Sequence, residues 1–132
     1  MPTPDQTRVA TFIATADNDM GMAHVLLQNA PHYYEGIGFH CQQAVKKSLK
    51  AILVTYGLPV PHTHDLPRLL NDLAAFVAFT SAERLAAVVL FDFAVDFRYE
   101  LDDAPSYTSA DLLDMARLFQ TRFRPLAQAF LI

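Results

Sequence analysis

The 132-residue chain has no tryptophan, four glycines, three lysines and a single cysteine, Cys41. One thiol cannot close an internal disulfide or build a multi-thiolate metal site. It falls at an apolar helical position, where a cysteine behaves as a small core residue. The glycines form neither a Gly-x-Ser-x-Gly elbow nor a phosphate-cradling loop, so two common nucleophile and nucleotide signatures are missing. Charged residues make up 18% of the chain and the net charge is −4. That balance argues against whole-surface attraction to nucleic acid or anionic membrane, while leaving room for a local basic patch. Asp and Arg interrupt every long apolar run, and no charged-then-apolar leader opens the chain. The expectation is a soluble cytoplasmic protein with no membrane association.

What is present points to helices. The length suits one domain spanning 1–132, and 52% hydrophobic residues, ten of them phenylalanine, supply an ample core. Val9, Phe12, Ile13, Ala16, Met20, Ala23 and Leu27 keep helical spacing, and the series stops before Pro31. A second helix ends near Gly57, ahead of an extended Leu58-Pro59-Val60-Pro61 connector. Asp65 resembles an N-cap, with Pro67 in the tolerated first turn. Leu66, Leu69, Leu70, Leu73, Phe76 and Val77 mark the core face of a third helix. Thr80 and Glu83 have capping-box spacing for a fourth. Thr108 and Asp111 resemble another capped start, and Pro125 is expected to kink or shorten the fifth helix. The first four residues are expected to fray. No segment reads as a strand. The fold class is all-α, an up-and-down antiparallel helical bundle of four long helices plus one shorter helix.

The fourth helix is apolar almost all round, from Leu85 to Phe97. Such a helix must be covered all round. Either it is central to the bundle, or a homodimer buries its remaining face.

All three lysines fall within His40–Lys50. On a helix, Cys41, Ala44, Val45, Ser48, Leu49, Ile52 and Tyr56 form a packing stripe, while His40, Gln43, Lys47 and Lys50 form a second strip with Lys46 beside it. If the starts of helices two and three meet the end of helix four, the strip gathers with His62, His64, Asp65, Arg98 and Tyr99. Cations, hydrogen-bond donors and an aromatic ring suit a phosphate or nucleotide. The plainer reading is a solvated lysine face with His64-Asp65 serving only as a cap. His62 and His64 lack an evident third metal ligand, so neither a metal nor a cofactor is expected. Asp92 and Asp96 are one helical turn apart, and burial would demand partners for them.

Several of these segments resemble the HEPN domain, a small all-helical family. The carriers are Ala16-Asp17 with Asp19-Met20, the run Phe39-His40-Cys41-Gln42-Gln43-Ala44-Val45-Lys46-Lys47-Ser48-Leu49-Lys50-Ala51, then Thr63-His64-Asp65-Leu66 and Arg98-Tyr99. The resemblance implies a dimeric bundle. It also implies, in many members, a metal-independent endoribonuclease with an Arg near the end of helix four and a His a few residues later. Arg98 holds the Arg position, but no histidine follows His64, so the usual acid–base group for a ribose 2′-hydroxyl is absent there. The Arg-Tyr form is similar to the branch associated with nucleotide binding or a minimal nucleotidyltransferase partner in toxin–antitoxin pairs. The expectation is therefore a non-catalytic HEPN module with His40, Gln43, Lys47, His64, Asp65, Arg98 and Tyr99 as candidate ligand contacts and with nucleotide or RNA as ligand. The alternatives are an endoribonuclease toxin with a displaced histidine, His40 or His64, and a purely structural dimerisation or adaptor domain.

Overall fold

The structure, a computed structural model, describes residues 1–93 and 106–132. Asp96, Arg98, Tyr99 and the last residues of the expected fourth helix lie outside them. Five helices occur in the order α1 (Pro4–Asn29), α2 (Tyr34–Thr55), α3 (Leu66–Leu73), α4 (Ser81–Phe91) and α5 (Ser109–Phe130). No strand occurs among the described residues. The result is an all-α helical bundle.

Local chemistry accounts for most helix ends. Thr3 opens α1 with a capping box completed by Gln6, so the helix begins at Pro4 and the N-terminal segment is tied down where fraying was expected. Thr80 with Glu83, and Thr108 with Asp111, close the same reciprocal bonds at α4 and α5. α2 ends in the left-handed turn its glycine suggests: Gly57 has φ 71°. Its N–H donates to Val54 O and that of Leu58 to Leu53 O, at 3.0 and 2.9 Å, which satisfies carbonyls otherwise left open.

The place of Phe76 on the core face, and the early end of α5 at Pro125, need correction. α3 stops at Leu73 and the chain turns through residues 74–76. Phe76 is therefore exposed and stacks on Tyr56, with ring centroids 4.9 Å apart, while Val77 still reaches the core. Pro125 sits inside α5 without ending it. Thr121, whose carbonyl loses its i+4 donor to the proline, is exposed, as is Pro125 itself, so water can replace the missing bond.

The register follows from cross-helix bonds. Along α1 and α2, Asp19 meets His40 and Lys47, and Gly36 lies against Leu26, which fixes an antiparallel pair. α5 runs antiparallel to α1 as well. Gln6 Nε2 donates to Phe130 O at 3.2 Å, Arg124 clamps Asp17 with bonds of 2.7 to 3.1 Å, and Arg117 approaches His24. α4 runs against α2 and α5, since Glu83 pairs with Arg122 and Phe93 rests on Gly38.

The central helix is α2, which packs on all four others. Its Ile37, Cys41, Ala44, Val45, Leu49 and Ile52 are buried, and so are Gln42 and Lys46. Tyr56, placed on the same stripe by periodicity, is exposed. The described part of α4 buries Ala86, Ala87 and Leu90 but leaves Leu85 50% and Val88 57% exposed. Within the described residues, α4 is therefore not the enclosed helix that its composition suggests.

Candidate functional site: a cationic band on the central helix

His40, Gln43, Lys47 and Lys50 follow one another at helical three- and four-residue steps along α2, with Lys46 beside them. The flank facing α1 holds a buried carboxylate, Asp19, at 6% exposure. Lys47 Nζ donates to Asp19 Oδ2 at 2.6 Å, and His40 Nδ1 lies 2.9 Å from Asp19 Oδ1. Asp19 was visible in sequence only as part of the family pattern. The physical signal was its position, three residues after Ala16 and four before Ala23 on an apolar stripe, where an acid requires partners.

The other flank faces the loop before α3. Lys46 Nζ is 3.3 Å from His64 Nδ1, and Gln42 Nε2 reaches His64 O at the long distance of 3.5 Å. Burial is the main force lowering the Lys46 amine to about 8, helped by Lys50 and Lys47 and opposed by Asp19. Burial also lowers Lys50. His64 is lowered first by desolvation, then by Lys46, Lys50 and His62. His64 is thus a neutral imidazole at pH 7 that accepts from the ammonium beside it. Because Lys46 is harder to protonate folded than unfolded, its charge opposes folding below about pH 8. That cost is relieved as pH rises from there toward the ordinary lysine value of 10.5. Lys46→Met is expected to leave the melting temperature unchanged or raised at pH 7. It should also flatten the rise in stability between pH 8 and 10, as thermal melts at stepped pH would show.

Asp65 has a structural assignment: its carboxylate accepts from Arg68 N at 3.1 Å and caps α3. His62 is exposed in the preceding loop. The structure thus joins His40 and Lys47 through Asp19 and places His64 on Lys46, with Gln43 on the strip between the two flanks. Arg98 and Tyr99 lie outside the described residues. Among the described residues, the side-chain oxygens of Gln42 and Gln43 are buried and meet no hydrogen-bond donor. Each such orphan costs about 1–3 kcal/mol unless a water or ligand donor meets it.

Other chemistries find less support. Burial pushes the Cys41 thiol up to about 12, so it stays protonated and inert. Asp92 is exposed at the end of α4. Among the described residues no three His, Cys, Asp or Glu side chains gather to hold a metal. A crevice between α1, α2 and α5, lined by Asp17, Ser48, Gln120 and Arg124 among apolar groups, has room for about one water. A wider, shallow hollow beside Tyr107 is rimmed by Asp111 and Asp114 and repels anions. Neither coincides with the lysines, whose band is a surface feature. No helix is long and apolar enough to cross a membrane among the described residues.

An all-helical bundle whose central helix carries a partly buried cationic band is the class that fold and site define. Residues 9–121 match the HEPN domain, and the chain belongs to that family. Two solved structures share the fold. One is the crystal structure of TT1696 from Thermus thermophilus, 24% identical over 94% of this chain and 95% of that one, with a TM-score of 0.68. The other is ST0689, described as an archaeal HEPN homologue, 22% identical over 94% and 98% of the two chains, with a TM-score of 0.64. No curated protein matches the sequence significantly.

Proposed function

We propose that the protein is a non-catalytic HEPN module that binds a nucleotide-like ligand, or docks on a minimal nucleotidyltransferase of a toxin–antitoxin pair, through the α2 band. The carrying observation is that Lys46 and Lys47 are each built into a partly buried contact, to His64 and to Asp19. A merely solvated lysine face would hold neither. Arg98 and Tyr99 join the proposal on sequence grounds, and the absence of any histidine after His64 speaks against the family's usual ribonuclease chemistry. The exposed Leu85 and Val88, one turn apart on α4, support a second copy of the chain as the cover for that face.

Equilibrium binding of adenine nucleotides at low salt tests the site. The double variant Lys47→Ala, Arg98→Ala is expected to lose at least tenfold in affinity, and equal affinity in both proteins rejects the assignment. One observation favours a ribonuclease as second reading: Asp19 holds Nδ1 of His40, the arrangement that leaves Nε2 available as a base. RNA cleavage abolished by His40→Ala would establish it, and intact RNA would dismiss it.

A further inference from the structure

The charge of the α2 band narrows the ligand class, given the nucleotide-binding reading above. Lys46, Lys47 and Lys50 lie within one helical turn, about 6 Å of helix axis. One carboxylate, Asp19, is bonded to Lys47 and faces Lys46 closely enough to influence it. His64, the acceptor for Lys46, is exposed, and partial desolvation together with Lys46, Lys50 and His62 pushes its pKa down. Three ammonium groups against one carboxylate leave two positive charges, with His40 also bonded to Asp19.

We infer that the band is a site for a single terminal phosphate, the dianionic phosphomonoester of a mononucleotide or strand end, and discriminates against the singly charged phosphodiester of a nucleic-acid backbone. The attraction of a fixed positive potential scales with ligand charge, so the second negative charge of the monoester roughly doubles the electrostatic gain. Each lysine has three N–H donors. Asp19 takes one from Lys47 and His64 one from Lys46, leaving the others for the oxygens of one phosphate. The partial desolvation that lowers Lys46 and Lys50 makes an incoming anion more effective there than beside a fully hydrated amine.

The test compares dissociation constants of AMP, adenosine, inorganic phosphate and the diester adenylyl-adenosine. The proteins are wild type, Lys50→Ala, Lys50→Arg and the double variant Lys47→Ala, Arg98→Ala, at pH 7.5 and 5.5. In wild type at pH 7.5, AMP is expected to bind at least tenfold tighter than the diester. That preference should shrink at least threefold at pH 5.5, where a phosphomonoester (second pKa about 6) has lost half or more of its second charge. Lys50→Ala should shrink it similarly at pH 7.5, while Lys50→Arg keeps it. Inorganic phosphate that competes with AMP supports the inference and makes free phosphate a sufficient ligand. Equal affinity for AMP and diester, adenosine binding as tightly as AMP, or a preference unmoved in Lys50→Ala overturns the inference. Equal affinity for AMP and diester, with both lost in the Lys47→Ala, Arg98→Ala protein, sinks the phosphomonoester assignment alone. Absence of binding by every probe sinks the nucleotide-binding reading with it.

Discussion

Glu83→Ala is expected to lower stability by about 2–4 kcal/mol. Glu83 is a buried carboxylate at the start of α4 with two functions. One oxygen accepts from Thr80 N at 2.8 Å, completing the capping box, and the same oxygen takes Arg122 Nη1 of α5 at 2.6 Å. Arg122 is anchored further by Ala78 O at 3.0 Å and lies over the Phe79 and Phe123 rings. Alanine would remove half of a cap, worth about 1 kcal/mol, and strand a guanidinium among aromatic rings. Breaking a buried pair costs about 3–5 kcal/mol, and the partial exposure of Arg122 places the total below the sum of those terms. Glu83→Gln keeps the acceptor for both donors and should lose about half as much. Thermal and urea unfolding followed by circular dichroism would measure both. A change under about 0.5 kcal/mol in the alanine variant would show that the α4–α5 bracket is solvated in solution.

Gly38→Ala is expected to cost about 2–4 kcal/mol although it adds one methyl group. A Cβ at Gly38 would overlap the Cδ1, Cε1 and Cγ atoms of the Phe93 ring. That ring is nearly fully buried and packs its neighbour Tyr34 edge-on at 5.5 Å. A phenyl group wedged between α2 and Tyr34 cannot retreat without surrendering burial worth about 2 kcal/mol, and overpacking adds strain of about 1–3 kcal/mol. The loss should be recovered largely in Gly38→Ala, Phe93→Leu, so that a double-mutant cycle gives a coupling of at least 1 kcal/mol. Additive effects would mean that the ring has another resting place. Gly36, two residues earlier, meets only Leu26 at 3.7 Å, so Gly36→Ala serves as the tolerated control.

These two sites also show what the amino-acid order conveys by itself. Thr80 and Glu83 are legible as a capping box because the interaction spans three residues and depends only on helix geometry. The same holds for Thr108 with Asp111, Asp65 at α3, and Gly57 at the end of α2. The lysine strip is legible for the same reason. Nothing local says that Glu83 will meet Arg122, 39 positions on, or that Asp17 will meet Arg124 across 107, since those pairs depend on helix register. Asp19 illustrates the intermediate case: its place on an apolar stripe announces a partner but not which one. Which helix is central was left open by the amino-acid order. The composition of α4 called for a cover on all its faces, whereas α2, amphipathic by pattern, buries even Gln42 and Lys46 because all four other helices pack on it.

The bond from Gln6 to Phe130 has a topological consequence. It brings the opening turn of α1 beside the closing turn of α5, so the described chain doubles back on its own starting point. A handful of flexible residues would bridge Met1 and Ile132, and the backbone could then be reopened at the exposed His62 in the loop ahead of α3. Circularly permuted in this way, the bundle would keep every interhelical pairing while changing the sequence in which its helices leave the ribosome.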